Sequence, residues 1–114
     1  MSHFRDFEKN IVRILAQSVL GTDVVDFVID DAELVAYENS GVGYFLTVRH
    51  PRLPTNRIVL TEPSVSGTAG EVVGGYLVFV EDGELMLECY TAGSIDVPSD
   101  FRDREVTVTT SPAP

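Results

Sequence analysis

The fold is decided by residues 74–90, which read GGYLVFVEDGELMLECY. Two runs rich in Val, Leu, Phe and Tyr flank Asp82-Gly83, and an Asp-Gly pair in that setting is a strong signal for a β-hairpin. With a two-residue turn, Tyr76 faces Cys89 across the two strands. The alternative is a three-residue loop with a glycine bulge, which would shift the pairing by one residue on the second strand.

This hairpin has two predicted faces, because side chains alternate between the two sides of a strand. The core face carries Tyr76, Val78, Val80, Leu85, Leu87 and Cys89. The opposite side is apolar in the middle and acidic around it, and it carries Leu77, Phe79, Glu81, Glu84, Met86 and Glu88. Exposed apolar groups of this size usually mark an interface. These six residues, with Asp82 of the turn, are therefore the predicted partner-binding site.

The length of 114 residues favours one domain, expected over residues 1–110 with a disordered tail at 111–114. The single cysteine excludes a disulfide within the chain. The first residues lack the apolar run of a signal peptide, and no run approaches the length of a membrane span. These features predict a cytoplasmic protein.

The chain is strongly acidic, with 18 Asp and Glu against 8 Lys and Arg, a formal net charge of −10. A field of this sign repels nucleic acid and anionic membranes and attracts a basic protein partner. The simpler interpretation is that acidity only keeps the protein in solution.

One helix is predicted over residues 4–20, where apolar side chains recur at spacings of three and four, with Ser2 as cap and Gly21 as stop. Outside the hairpin, strands are predicted at 24–29, 33–37, 42–49, 58–61 and 105–109. Residues 33–37 also fit a short helix. Residues 64–70 are expected to be a flexible connection, and 99–102 a single helical turn. The pattern predicts an α+β fold, in which an N-terminal helix packs on a mostly antiparallel sheet of five to seven strands.

No catalytic set emerges from the sequence. The glycine-rich residues 66–75 lack the Gly-Lys-Ser/Thr ending of a phosphate loop. Cys89 has only His3 and His50 as candidate bases, and the hairpin register makes it a core residue. No His/Cys set suits zinc and no acidic run has the calcium-loop spacing, so neither a metal nor another cofactor is expected. Glu88, in mid-strand beside apolar neighbours, is the most unusual acid, but nothing selects a catalytic carboxylate pair.

Two stretches together carry a resemblance: residues 41–47, which read GVGYFLT, and residues 75–90, followed by Pro98 and Phe101. They resemble small acidic bacterial proteins encoded as immunity partners of polymorphic or contact-dependent toxins. The resemblance covers residues 41–104 and carries over no functional residue. It implies a non-enzymatic protein that binds and blocks a toxin domain made by the same cell.

Two other functions remain open at this point. A self-associating structural or regulatory domain would use Leu77, Phe79 and Met86 as a dimer interface, unless residues 92–104 of the chain cover that patch. A small enzyme or carbohydrate-binding domain would use carboxylates in a cleft.

Overall fold

The computed structural model describes residues 2–111. In chain order the elements are α1 (Asp6–Leu20), α2 (Thr22–Asp31), β1 (Glu33–Asn39), β2 (Gly43–Arg49), β3 (Ile58–Ala69), β4 (Val72–Glu81), β5 (Glu84–Thr91), a 3₁₀ turn (Phe101–Asp103) and β6 (Thr107–Ser111). The predicted α+β class is confirmed. Of the expected tail at 111–114, Ser111 is the last residue of β6, and the other three lie outside the described residues.

The six strands form one antiparallel sheet in the order β1-β2-β5-β4-β3-β6. The hairpin of residues 74–90 supplies β4 and β5, the two central strands. Its two-residue register is confirmed, because Tyr76 pairs with Cys89 and Glu81 with Glu84. Asp82 and Gly83 form the turn with φ of 54° and 77°, the left-handed conformation that Asp-Gly turns favour.

Both helices contribute to a core on one side of the sheet. The side chains predicted for the core face of the hairpin are all at most 2% exposed. Helix α1 packs on α2, β3, β4 and β6. Its Phe7 ring meets the Tyr76 ring edge-on, with centroids 6.3 Å apart, and meets Phe101 in the same way at 6.4 Å. Helix α1, with 15 residues, is longer than α2. Neither of the two described helices is long and apolar enough to cross a membrane.

The prediction of a strand at 24–29 is wrong, because these residues belong to helix α2. Val25, Val28 and Ile29 are at most 1% exposed, whereas Phe27 is 41% exposed. Spacings of three and four place the buried residues on one helical face, which packs with α1. Tertiary packing has overridden the strand preference of Val and Ile. Helix α1 also begins two residues later than expected, at Asp6, and Glu8 rather than Ser2 caps it by accepting a hydrogen bond from the Arg5 backbone N–H at 2.7 Å.

The prediction that 64–70 is a flexible connection is also wrong. Strand β3 continues to Ala69, pairs with β4 on one side and with β6 on the other, and is irregular only between Leu60 and Val65. Glycine is required at position 67, because a Cβ there would crowd the side chains of Val106 and Tyr76.

The remaining elements differ from the predictions mainly at their ends. Residues 33–37 are strand, as favoured, and the last strand is shifted from 105–109 to Thr107–Ser111. The predicted helical turn at 99–102 is a 3₁₀ turn at Phe101–Asp103.

Candidate partner-binding face

The side of the sheet away from the helices, here called the outer face, carries six of the seven predicted site residues. Leu77, Phe79, Met86, Glu84 and Glu88 are half-buried and Glu81 is exposed. Asp82 is exposed in the turn at one end of this face. The strand register brings these residues together, because Phe79 pairs with Met86 and Leu77 with Glu88.

The neighbouring strand β2 enlarges this face with residues outside the predicted site. Phe45 pairs with Glu88, and Thr47 pairs with Met86, while Glu38 of β1 pairs with Phe45. Phe45 is half-buried, so the apolar centre consists of Phe45, Leu77, Phe79 and Met86. The alternation of side chains along β2 is the sequence signal that could have assigned Phe45 to one face of this strand. Its pairing with β5 is a long-range contact that no local pattern specifies.

The expected alternative cover, residues 92–104, places Val97 and Phe101 on the other side of the sheet. Val97 and Phe101 are fully buried. Both approach the core-facing side of Gly74, where an added Cβ would lie 3.6 Å from Val97 and 3.5 Å from Phe101. These two side chains therefore complete the core and do not cover Leu77, Phe79 or Met86.

The outer face has two shallow clefts as well as apolar area. One shallow cleft of about 190 Å³ is lined by Thr47, Phe79, Glu81, Glu84 and Met86. A second, of about 250 Å³, is lined by Ala36, Glu38, Phe45, Thr47 and Met86. Because Thr47 and Met86 line both, the two clefts adjoin across the middle of the face. Such depressions are suited to receive side chains of a partner.

Acidic side chains border this apolar centre along the hairpin and on β1, whereas on the β3 side Phe79 pairs with the exposed Val59. Glu81, Glu84 and Glu88 border it on the hairpin, and Glu38 borders it on β1. Arg49 partly offsets them, because its guanidinium donates a hydrogen bond to Glu84 at 2.7 Å. The face combines an apolar centre with a mainly acidic border.

A buried polar network occupies the opposite side of the sheet, and no pattern in the sequence predicts it. Glu8 is 0% exposed and accepts a hydrogen bond from the Tyr44 hydroxyl at 2.5 Å and two from Arg102 at 2.8 and 2.9 Å. The Tyr44 and Tyr76 hydroxyls are 2.9 Å apart. Arg102 also stacks over the Tyr37 ring, 4.8 Å from its centroid. These residues, Glu8, Tyr44, Tyr76 and Arg102, are called the buried network below.

Burial has the largest effect on the acid–base properties of Tyr44 and Tyr76 in this network. It raises the pKa of both Tyr44 and Tyr76 well above the ordinary value, and neighbouring Glu8 adds to each shift. For Arg102, burial lowers the pKa, but the hydrogen bonds and charge of Glu8 outweigh it, so the pKa is raised. A neutral phenol pair and an ion pair therefore fill the site. Since Tyr44, Tyr76 and Glu8 are at most 1% exposed, the network is closed to a substrate and acts as internal support.

Cys89, the candidate nucleophile, and His50, one of the two candidate bases, each contact other residues. Cys89 is 2% exposed, and burial, opposed by a hydrogen bond with Tyr76, raises the pKa of its thiol to about 11. His50 lies after β2, where its Nδ1 accepts a hydrogen bond from the Arg52 N–H at 3.1 Å and its ring stacks on Phe27. Between residues 2 and 111, no group of three or more His, Cys, Asp or Glu side chains could hold a metal ion.

Comparison with protein-family models, with curated proteins and with solved structures found no match to this chain.

Proposed function

We propose that this protein is a non-enzymatic binding module that docks a basic protein partner on its outer face. We further propose that the partner is a bacterial toxin domain, neutralised in the cytoplasm by stoichiometric binding. The observation that carries the proposal is the uncovered outer face, where Phe45, Leu77, Phe79 and Met86 form an apolar centre with acidic neighbours. Interfaces of specific complexes have this arrangement of an apolar core and a polar rim.

The charge distribution supports a basic partner rather than a neutral one. Glu38, Glu81, Glu84 and Glu88 border the apolar centre, with Arg49 as a partial offset. Opposite charges across an interface speed the encounter and suppress wrong partners, whereas buried apolar contacts slow dissociation. The overall charge of −10 opposes contact with nucleic acid and anionic membranes.

Self-association through the same face is the second candidate, and the uncovered patch of Leu77, Phe79 and Met86 favours it. A symmetric dimer would use the same patch on both copies. It would bring the acidic border of one copy against that of the other, and like charges in an interface oppose binding. We therefore rank a basic partner above a second copy.

The test is binding to the toxin domain encoded beside this gene. Isothermal titration calorimetry should give a 1:1 complex, and co-expression should restore growth of cells that produce the toxin domain. Phe79→Ala should reduce both effects. Glu71→Gln, an exposed change in the turn between β3 and β4, is the control and should reduce neither.

Three outcomes would contradict the proposal. One is the lack of a neighbouring gene for a toxin whose domain binds this protein. Another is a complex that tolerates Phe79→Ala as well as it tolerates Glu71→Gln. The third is that the protein sediments as a homodimer at micromolar concentration and that Phe79→Ala dissociates this dimer. This result would support the self-associating domain instead.

A further inference from the structure

A cleft of about 500 Å³ lies where the end of α2, the loop after β2 and the turn of the central hairpin meet. Its lining includes Leu53, which is 5% exposed, and Pro51 as apolar groups. Cavities of this size accommodate small ligands or single large side chains. Arg49, Asp82 and Gly83 also line it, so the cleft adjoins the outer face.

Backbone hydrogen bonds hold the cleft open by fixing the loop to the turn. The His50 N–H donates to the Gly83 carbonyl at 3.1 Å, and the Gly83 N–H donates to the Pro54 carbonyl at 3.0 Å. The Asp82 N–H donates to the Thr55 carbonyl at 3.0 Å. Three bonds between the same two segments give a preformed cleft, and a preformed site loses less entropy on binding.

The charges around the cleft do not balance. Asp31, Glu33 and Asp82 line it, and within residues 2–111 no hydrogen bond or ion pair engages their carboxylates. The one arginine in the lining, Arg49, already donates to Glu84 at 2.7 Å. The cleft therefore has three carboxylates available to a cationic group, and its lining also includes the apolar side chains of Leu53 and Pro51.

We infer that this cleft receives an arginine side chain of the basic partner that docks on the outer face. The inference rests on the proposed function and names the chemistry of one contact within it. A guanidinium offers five N–H donors in a planar fork that matches carboxylate oxygens, and its alkyl stem suits contact with Leu53 and Pro51. Arginine is also enriched among the residues that dominate interface affinity.

A small probe tests the cleft without any partner. Backbone amide chemical shifts are followed by NMR at low ionic strength while Nα-acetyl-arginine amide is added. The uncharged isostere Nα-acetyl-citrulline amide is the control ligand. We expect the arginine probe to cause saturable changes in the amide chemical shifts of residues 31–33, 49–55 and 82–83. For a ligand of this size the dissociation constant should be about 1 to 10 mM. Citrulline should give no saturable shift.

A matched pair of variants separates the cleft from the general acidity of the protein. The triple change Asp31→Asn, Glu33→Gln and Asp82→Asn replaces exposed side chains and should weaken arginine binding at least tenfold. The control removes three exposed acids elsewhere, by Glu71→Gln, Asp96→Asn and Glu105→Gln, and should weaken binding less than twofold.

The two proposals fail in different ways. The cleft assignment is overturned if citrulline binds as well as arginine, or if both triple variants lose binding equally. It is also overturned if arginine binding does not saturate below about 100 mM, since the expected affinity is tenfold or more higher. If partner binding then still depends on Phe79, the outer face stands without the cleft. If Phe79→Ala leaves partner binding unchanged, the proposed function is wrong, whether or not the arginine probe binds the cleft.

Discussion

Arg102 donates two hydrogen bonds to the carboxylate of Glu8, which lies 94 positions earlier in the chain, at 2.9 and 2.8 Å. Glu8 is 0% exposed, and the Arg102 side chain is 11% exposed. A carboxylate this deeply buried is stable only with a cation and hydrogen-bond donors around it. The pair therefore joins the first helix to the 3₁₀ turn near the other end of the described chain.

Removing the cation should destabilise the protein strongly. Arg102→Met leaves Glu8 as a buried charge without its partner, and the expected loss is about 3–5 kcal/mol in the free energy of unfolding. Arg104→Met, which breaks the exposed pair with Asp100, is the control and should cost about 1 kcal/mol or less. Urea denaturation measures both, and similar losses for the two variants would contradict the structural role of the buried network.

The core face of the hairpin should be far more sensitive to truncation than the outer face. Leu87 is 0% exposed, so Leu87→Ala should cost about 2–5 kcal/mol. Met86 is its half-buried neighbour on the outer face, and Met86→Ala should cost less than half as much. Chemical denaturation of the two single variants checks the difference. A larger loss at Met86 would mean that the outer face is covered in solution.

Stability should fall in alkaline solution because burial raises the pKa of Cys89 from 9.0 to about 11. The unfolded chain loses this proton at a lower pH than the folded chain does. The contribution is therefore intact below about pH 9 and is lost as the pH approaches 11, by roughly 1–3 kcal/mol. The raised pKa values of Tyr44 and Tyr76 act in the same direction.

Thermal unfolding between pH 7 and 11 measures this loss. Cys89→Ala should lower stability at neutral pH, since it removes a buried side chain, but should make the alkaline decline shallower. A decline that is equally steep in this variant would assign the effect to the tyrosines alone.

The Cys89 thiol should be slow to react in the folded protein. It is 2% exposed and remains protonated at neutral pH, whereas thiol reagents attack the thiolate. A thiol reagent at pH 8 should label the native protein slowly and the urea-unfolded protein rapidly. Equal rates in the two states would show that the central strands open readily.

On the outer face, charge should control association and apolar contact should control dissociation. The double change Glu81→Lys and Glu84→Lys should slow association with the basic partner, while Phe79→Ala should speed dissociation. Raising salt from low to physiological concentration should slow association by about tenfold or more and change dissociation much less. Surface-based kinetics against the partner measures both rates. If the association rate changes with neither salt nor the charge reversal, the outer face is not the binding site.

Local sequence pattern was sufficient to predict the central hairpin and, with a two-residue turn at Asp82-Gly83, its two faces, but it left a three-residue loop open until the observed pairing of Tyr76 with Cys89 settled the register. It was insufficient for α2, whose Val-rich sequence suits a strand until packing on α1 is included. It also failed for Glu8. That residue lies in an amphipathic helix like many solvated glutamates, and its burial depends on Tyr44 and Arg102, 36 and 94 positions away.

The candidate face was predicted only in part for the same reason. The six outer-face residues of the hairpin are close in sequence, and alternation alone groups them. Phe45 and Glu38 join them only because β2 pairs with β5 and β1 pairs with β2. Alternation groups residues within one strand, but no short window of sequence specifies which strand pairs with which.

The position of Arg102 has a consequence for the order of events during synthesis. Glu8 leaves the ribosome early, but its guanidinium partner follows only after all of β1 to β5 has been made. Until then the carboxylate must stay hydrated, so α1 cannot settle fully on the sheet. We therefore expect α1 to pack fully on the sheet only after the turn bearing Arg102 has been made.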